Sequence, residues 1–390
     1  MIKKSDFDPN CITVSQMKLI FNARMYYKRL TAWARAYILS RYFGVGTADE
    51  LFGRLYLEAL DQADVLKIFF SRQDAEKYGD LLGRTVILLR DIISDQINGD
   101  MELMAVHISS MAQNIEDRVA FLHSLSSYIN EEEYRDMLRA YIRTLLDYAN
   151  ILAAGDYGKD IEIYNSLDEL ADRIGDAFAE SLYNYMTSGS DTKGAAPGSN
   201  EWCITYDQLN TVFGTKMFWF NMEIWTRNYM LSRVLGLGPT DRVYEHLRHV
   251  VDDYVRLVEQ VFGKEAAEAY DRLFDRYVEL IDAFVTAQME GDTERVNEIV
   301  PLLYENVRER ANIPIEAGPY FNEEVWIPMV ENKLRYTIDE FNAFLTGDYP
   351  RSLDIFNTLL NQAESMGNEF EKGYFNYMGS SQAPAKENKK

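Results

Sequence analysis

The chain is poor in the side chains that most metal and covalent chemistry needs: among 390 residues there are four histidines and two cysteines. No Glu-x-x-His, Cys-x-x-Cys, Gly-x-Ser-x-Gly elbow or glycine-rich phosphate loop occurs. These gaps remove the usual signatures of di-metal bundles, thiol redox centres, serine hydrolases and nucleotide-binding loops. Long apolar runs are missing as well. No window approaches the ~20 apolar residues of a membrane span, and the segment Met1 to Pro9 lacks the apolar core of a secretory signal. The expectation is a cytoplasmic protein, not a membrane one. In that setting Cys11 and Cys203 read as two free, partly buried thiols. Basic residues are outnumbered, 40 against 62 acidic, for a net charge of −22. That balance opposes the phosphate neutralisation that nucleic acid or an anionic bilayer would demand. The acidic surplus itself reads as solvated helix face.

What the chain does have is repetition. Cys11-Ile12-Thr13 recurs as Cys203-Ile204-Thr205 and Gly155-Asp156-Tyr157 as Gly347-Asp348-Tyr349, at a constant offset of 192. Residues 11–186 and 203–378 are therefore one segment written twice without a gap. A lead at 1–10 precedes them, a Gly/Ser/Ala-rich linker at 187–202 separates them, and a polar tail at 379–390 follows, expected to be disordered. With hydrophobic residues at 47% and charged residues at 26%, each copy can bury its own core.

Apolar residues recur at three- and four-residue spacing, as in Met17, Ile20, Phe21, Ala23, Leu30, Trp33 and Tyr37. No segment alternates as a strand would. Helix punctuation supplies the boundaries. Gly99-Asp100, Gly155-Asp156, Gly291-Asp292 and Gly347-Asp348 each set a left-handed glycine before an aspartate N-cap. Thr47 to Glu50 has the form of a capping box. Helices are expected near 14–43, 48–69, 73–98, 101–126, 131–153 and 157–186, and again 192 residues later. The fold class is all-α: two tandem antiparallel helical bundles related by internal duplication. Pro301 and Pro328 fall inside helices of the second copy.

Most side chains kept in both copies suit a core, such as Trp33 with Trp225, Tyr37 with Tyr229, Tyr78 with Tyr270 and Phe178 with Phe370. Polar positions kept in both are Arg35 with Arg227, Arg84 with Arg276, Asn114 with Asn306, Arg118 with Arg310, Arg143 with Arg335, Asp147 with Asp339 and Asn150 with Asn342. Arg35 and Arg227 lie within apolar faces, where a charge needs a partner. Asp147 and Asp339 are the candidate counter-ions, and the candidate buried polar pairs are Arg35 with Asp147 and Arg227 with Asp339. An interhelical ion pair that fixes register is the first interpretation; a polar ligand pocket is the second. His107, His123, His246 and His249 have no histidine counterparts, and the i, i+3 pair His246 and His249 reads as a surface helix, not a metal site. The acids after Asn130 and Asn322 are helix-start signals.

The strings Tyr27 to Arg35 and Trp219 to Arg227, together with Trp326-x-x-Met329 and Gly-Asp-Tyr, resemble a family of small uncharacterised helical-bundle proteins of Gram-positive bacteria. The resemblance implies that each copy corresponds to one whole member, and it carries no established activity. It also implies histidines at the positions held here by Leu30 and Met222, Thr85 and Tyr277, and Tyr141 and Lys333, so that a histidine site has been abandoned in this chain. No catalytic residue, metal ligand or cofactor is assigned, and the enzyme question stays undecided with the balance against. The leading expectation is a non-enzymatic interaction or structural module with a protein partner or self-association open to it. The alternative is a metal- or small-ligand-binding bundle of ferritin-like general type. An enzyme using a polar pocket around Arg35 and Asp147 is a weaker third.

Overall fold

In a computed structural model, the described residues are 11–45, 47–188, 203–236, 240–316 and 321–381, and they form twelve α-helices and one pair of two-residue strands. The lead 1–10, most of the linker and the tail from 382 lie outside the described residues. The chain divides into two compact units, 1–209 and 210–390.

The first unit holds β1 (Ile12–Thr13), α1 (Val14–Phe43), α2 (Ala48–Leu66), α3 (Arg72–Asn98), α4 (Met101–Leu125), α5 (Glu131–Ala154), α6 (Asp160–Ser188) and β2 (Cys203–Ile204). The second holds nearly all of α7 (Tyr206–Leu235), then α8 (Thr240–Phe262), α9 (Lys264–Glu290), α10 (Thr293–Glu316), α11 (Glu323–Leu345) and α12 (Tyr349–Ser381). The starts of α7 to α11 each fall 192 residues after those of α1 to α5. Consecutive helices joined by short turns lie against one another, α3 between α2 and α4, and α11 between α10 and α12. In the first unit α1 packs on α6, α2 and α5 at once. It is buried around most of its circumference, as a helix at the centre of a bundle must be.

Local chemistry sets the helix ends. Gly99 and Gly291 adopt φ of 74° and 72°, and the following aspartates accept from the amides of Leu103 at 3.0 Å and Arg295 at 2.9 Å. Asn130 and Asn322 cap α5 and α11 in the same way. The capping box anticipated at Thr47 does not form: the Thr47 hydroxyl donates to Glu50 at 2.5 Å and leaves the amide end uncapped. Reciprocal boxes occur at the starts of α1 and α7 instead. Thr13 N–H donates to Gln16 Oε1 at 2.7 Å while Gln16 N–H donates to Thr13 Oγ1 at 3.3 Å, and Thr205 with Gln208 repeats this at 2.9 and 3.2 Å.

Gly175 marks the closest approach of α6 to α1. A Cβ there would stand 2.8 Å from the Arg24 backbone. At the corresponding contact of α12 with α7, a Cβ on Gly367 would stand 2.9 Å from Lys216 Cα. Only glycine lets the rods close to this distance.

Four features differ from what the sequence leads one to expect. A strand pair exists: β1 and β2 are antiparallel, Ile12 opposite Ile204 and Thr13 opposite Cys203. That pairing brings Cys11 and Cys203 to a Cα separation of 5.0 Å, inside disulfide reach, and they are bonded, not free. The same pairing ties 203–209 to the first unit, so the division falls after Leu209 and not at the linker. α6 and α12 also run past their expected ends, to Ser188 and Ser381, because each added residue gains a backbone bond without a new nucleation cost.

The bridge closes a loop of 192 residues around the first unit, for which the chain-entropy relation gives a ceiling of about 5 kcal/mol. Thiol titration of the denatured, unreduced protein should find no free thiol. Reduction, or Cys11→Ser, should lower the urea midpoint of the first unit by the equivalent of several kcal/mol; an unchanged midpoint would contradict a stabilising bridge.

Candidate functional site

Three cations on the central helix of the first unit point at α6. Arg24, Lys28 and Arg35 share a face because their spacings of four and seven residues follow the helical repeat. α6 answers with Asp176, Asp172, Asp168 and Asp160 in antiparallel order. Arg24 holds Asp176 through Nε at 2.5 Å and Nη2 at 2.7 Å, and Tyr206 joins at 2.9 Å. Lys28, 1% exposed, reaches Asp168 at 2.6 Å and Asp172 at 3.1 Å. Arg35 reaches Asp160 at 2.5 Å and lies over the rings of Tyr148 and Tyr164. Burial raises the Asp172 carboxyl above its ordinary value even though Lys28 pulls it down.

The anticipated counter-ions are therefore replaced. Arg35 is buried, but its carboxylate is Asp160 of α6, while Asp147 is exposed on α5. Arg227 is paired within the second unit, but with Glu340 and, at 3.1 Å, Ser352; Asp339 is the half-buried neighbour. On a helix, one residue's step turns the side chain by about 100°, so adjacent acids 339 and 340 face different surroundings.

The remaining positions of the central helix differ in chemistry between the units. Thr31 and Tyr141 share a hydroxyl hydrogen bond of 2.8 Å; 192 residues on, Glu223 and Lys333 form an ion pair of 2.7 Å, both almost wholly buried. Tyr27 and Tyr134, hydroxyl to hydroxyl at 2.8 Å, have as counterparts Trp219 and Trp326, ring against ring. Burial raises both Glu223 and Glu340, with Lys333 and Arg227 pulling the other way; Glu340 is carried to about 7.

Beside the Glu223–Lys333 pair is a small cavity lined by Trp219, Met222, Phe274, Tyr277, Arg310 and Lys333, with Val307, Val330 and Leu334 closing it. It has room for a single water molecule. Sequence reasoning missed Lys333, Glu223, Glu340 and Arg310 as site residues. An acid and a base standing 192 residues after Thr31 and Tyr141 were the readable signal for the first two.

The histidines are dispersed. His107 meets Asp95 at 2.6 Å, His123 the Ile129 carbonyl at 2.8 Å, and His249 the exposed Asp252 at 3.0 Å, while His246 packs edge-on to Trp225. Among the described residues no group of three or more His, Cys, Asp or Glu side chains could hold a metal ion. No helix among them is long and apolar enough to cross a membrane.

The fold defines the chain as all-helical, with buried ion pairs at the centre of each unit. No protein-family model matches it, and no match was found among the curated proteins or the solved structures.

Breaking a buried pair from one side leaves an uncompensated charge, which costs about 3–5 kcal/mol. Glu223→Gln should lose that much in urea unfolding of the second unit, and the double change Glu223→Thr with Lys333→Tyr, which installs the first unit's neutral pair, should recover most of it. Failure of the double variant to improve on the single one would count against the pairing.

Glu340 supplies a pH signature. Its folded carboxyl holds its proton up to about 7, against about 4.5 when unfolded, so between these values the folded state binds more protons and stability falls as pH rises. Glu340→Gln should flatten that decline by at most about 3 kcal/mol. Comparing variant and parent removes the general acidic repulsion common to both, and parallel profiles would refute the assignment.

Proposed function

We propose that the chain is a non-enzymatic interaction and structural module, made of two duplicated helical bundles of the kind found in the small Gram-positive family it resembles. One observation carries the interaction reading: an apolar tip on the first unit that its second-unit counterpart shares only at Met289 and Val300, the positions of Ile97 and Ile108. Ile97 at the end of α3, and Met101, Leu103, Val106 and Ile108 on α4, are all at least 40% exposed. Over its first ten residues α4 is half-buried only at Met104, His107 and Ser110. At the positions of Met101, Leu103 and Val106 the second unit carries Thr293, Arg295 and Glu298 on α10, a helix that forms equally well. Helix formation therefore does not call for apolar residues there, and clustered exposed apolar side chains mark contact surfaces. The partner is a protein offering an apolar face, with self-association as the variant in which that face is a second copy.

The ion-paired centre supports the structural half of the reading, since each buried pair of α1 with α6 specifies one helix register. The Cys11–Cys203 bridge supports oxidising surroundings over the cytoplasmic location expected from the sequence.

A photo-crosslinking residue at position 106, compared in the native cell with one at position 298, should capture a protein adduct only at 106. Leu103→Arg with Val106→Glu, which copies the second unit, should fold with an unchanged melting temperature and lose the adduct. Equal labelling at both positions would sink the proposal, and sedimentation equilibrium distinguishes a second copy from a different protein.

A further inference from the structure

We propose that the cavity in the second unit is a binding site for one small monovalent anion of the halide class, chloride in ordinary solution, held by Arg310 with Trp219 and Lys333.

Arg310 is 5% exposed and stacks on Phe274 and Tyr277 at 4.1 and 4.3 Å. Among the described residues it has neither a carboxylate partner nor a hydrogen-bond acceptor, and its Nε is buried without one. Burial lowers it to about 10, which keeps it protonated at neutral pH. Lys333 is neutralised by Glu223 at 2.7 Å, so the cavity wall carries one unbalanced positive charge. A buried charge without a partner costs far more than its surroundings can return, and a neutral water would leave it unbalanced.

In the first unit Arg118, the counterpart of Arg310, has a likewise unpaired buried Nε but donates through Nη1 to Thr85 Oγ1 at 3.3 Å, and Thr85 in turn donates to Asn114 at 2.6 Å. The phenols of Tyr78, Tyr27 and Tyr134 surround the guanidinium and raise it above its ordinary value despite burial. In the second unit Tyr27 and Tyr134 are exchanged for Trp219 and Trp326 and Thr85 for Tyr277, while Tyr270 and Asn306 keep their oxygens and the phenol of Tyr254 also acts on the guanidinium. The indole nitrogens of Trp219 and Trp326 are donors only, and both lack acceptors, as Asn306 Oδ1 now lacks a donor. Two phenol oxygens have thus been replaced by indole N–H donors beside a cation that has no carboxylate among the described residues. What completes such a wall is an acceptor carrying negative charge, and room for one water-sized body restricts it to a single atom.

The test uses the full chain dialysed into chloride or gluconate salts at equal ionic strength, gluconate being too large for the cavity. The second unit should melt higher in chloride, by about 5 °C or more once chloride is a hundredfold above its dissociation constant. Crystals grown in bromide should show an anomalous peak in hydrogen-bonding range of Arg310 Nε. Tyr277→Thr, which restores the first unit's hydroxyl, should reduce the chloride effect, and Arg310→Met should abolish it. Equal melting in the two salts, or bromide data without a peak at Arg310, overturns the proposal. The bromide measurement needs no variant, so it decides the matter even if Arg310→Met does not fold.

Discussion

The structure depends on burying cations on a central helix. α1 is enclosed by three neighbours, yet it carries Arg24, Lys28 and Arg35 on one face. A buried cation is tolerable only when its counter-charge arrives on the helix packed against it, so α6 must sit at one rotation and one height. Gly175 allows the two backbones to approach closely enough for Arg24 to grip Asp176 from both nitrogens. Charge pairing and close packing thus specify the same arrangement. Either one alone would leave sliding or rotation open.

The second unit meets the constraint with different chemistry. At the position of Lys28 stands Phe220, and at that of its partner Asp168 stands Leu360, so an ion pair gives way to apolar side chains on both helices. The carboxylate that serves the arginine moves from Asp160 on α6 to Glu340 on α11, and Ser352 fills the place left behind. A neutral hydroxyl pair becomes Glu223 with Lys333. These exchanges come in matched sets because changing one member alone would bury an unpaired charge. Arg310 departs from that pattern, since two of the phenols around its counterpart became Trp219 and Trp326 and no carboxylate took their place among the described residues.

Much of the helical layout was legible from the chain. Gly99-Asp100 and Gly291-Asp292 act as stop and start because a left-handed glycine and an Asx cap are local conformations, decided within a few residues. Burial of Trp33, Trp225, Tyr78 and Tyr270 followed from apolar periodicity. The site was read less well. Arg35 and Arg227 were recognisable as buried cations, but their partners were sought at Asp147 and Asp339, which stand 192 residues apart as the arginines do. The true partners, Asp160 and Glu340, stand at non-equivalent positions, and recurrence is blind to a charge that has moved from one helix to another.

Helix boundaries, the all-α class and the presence of cations within apolar faces are determined by the sequence itself, since propensity, capping and periodicity act over one or two turns. Tertiary structure alone decided which carboxylate each cation meets, that Cys11 and Cys203 fall within bonding distance, and that Arg310 faces a small cavity. Each of these depends on the relative height and rotation of elements far apart in the chain. Distances of that kind are set by packing, and no local pattern of residues encodes them.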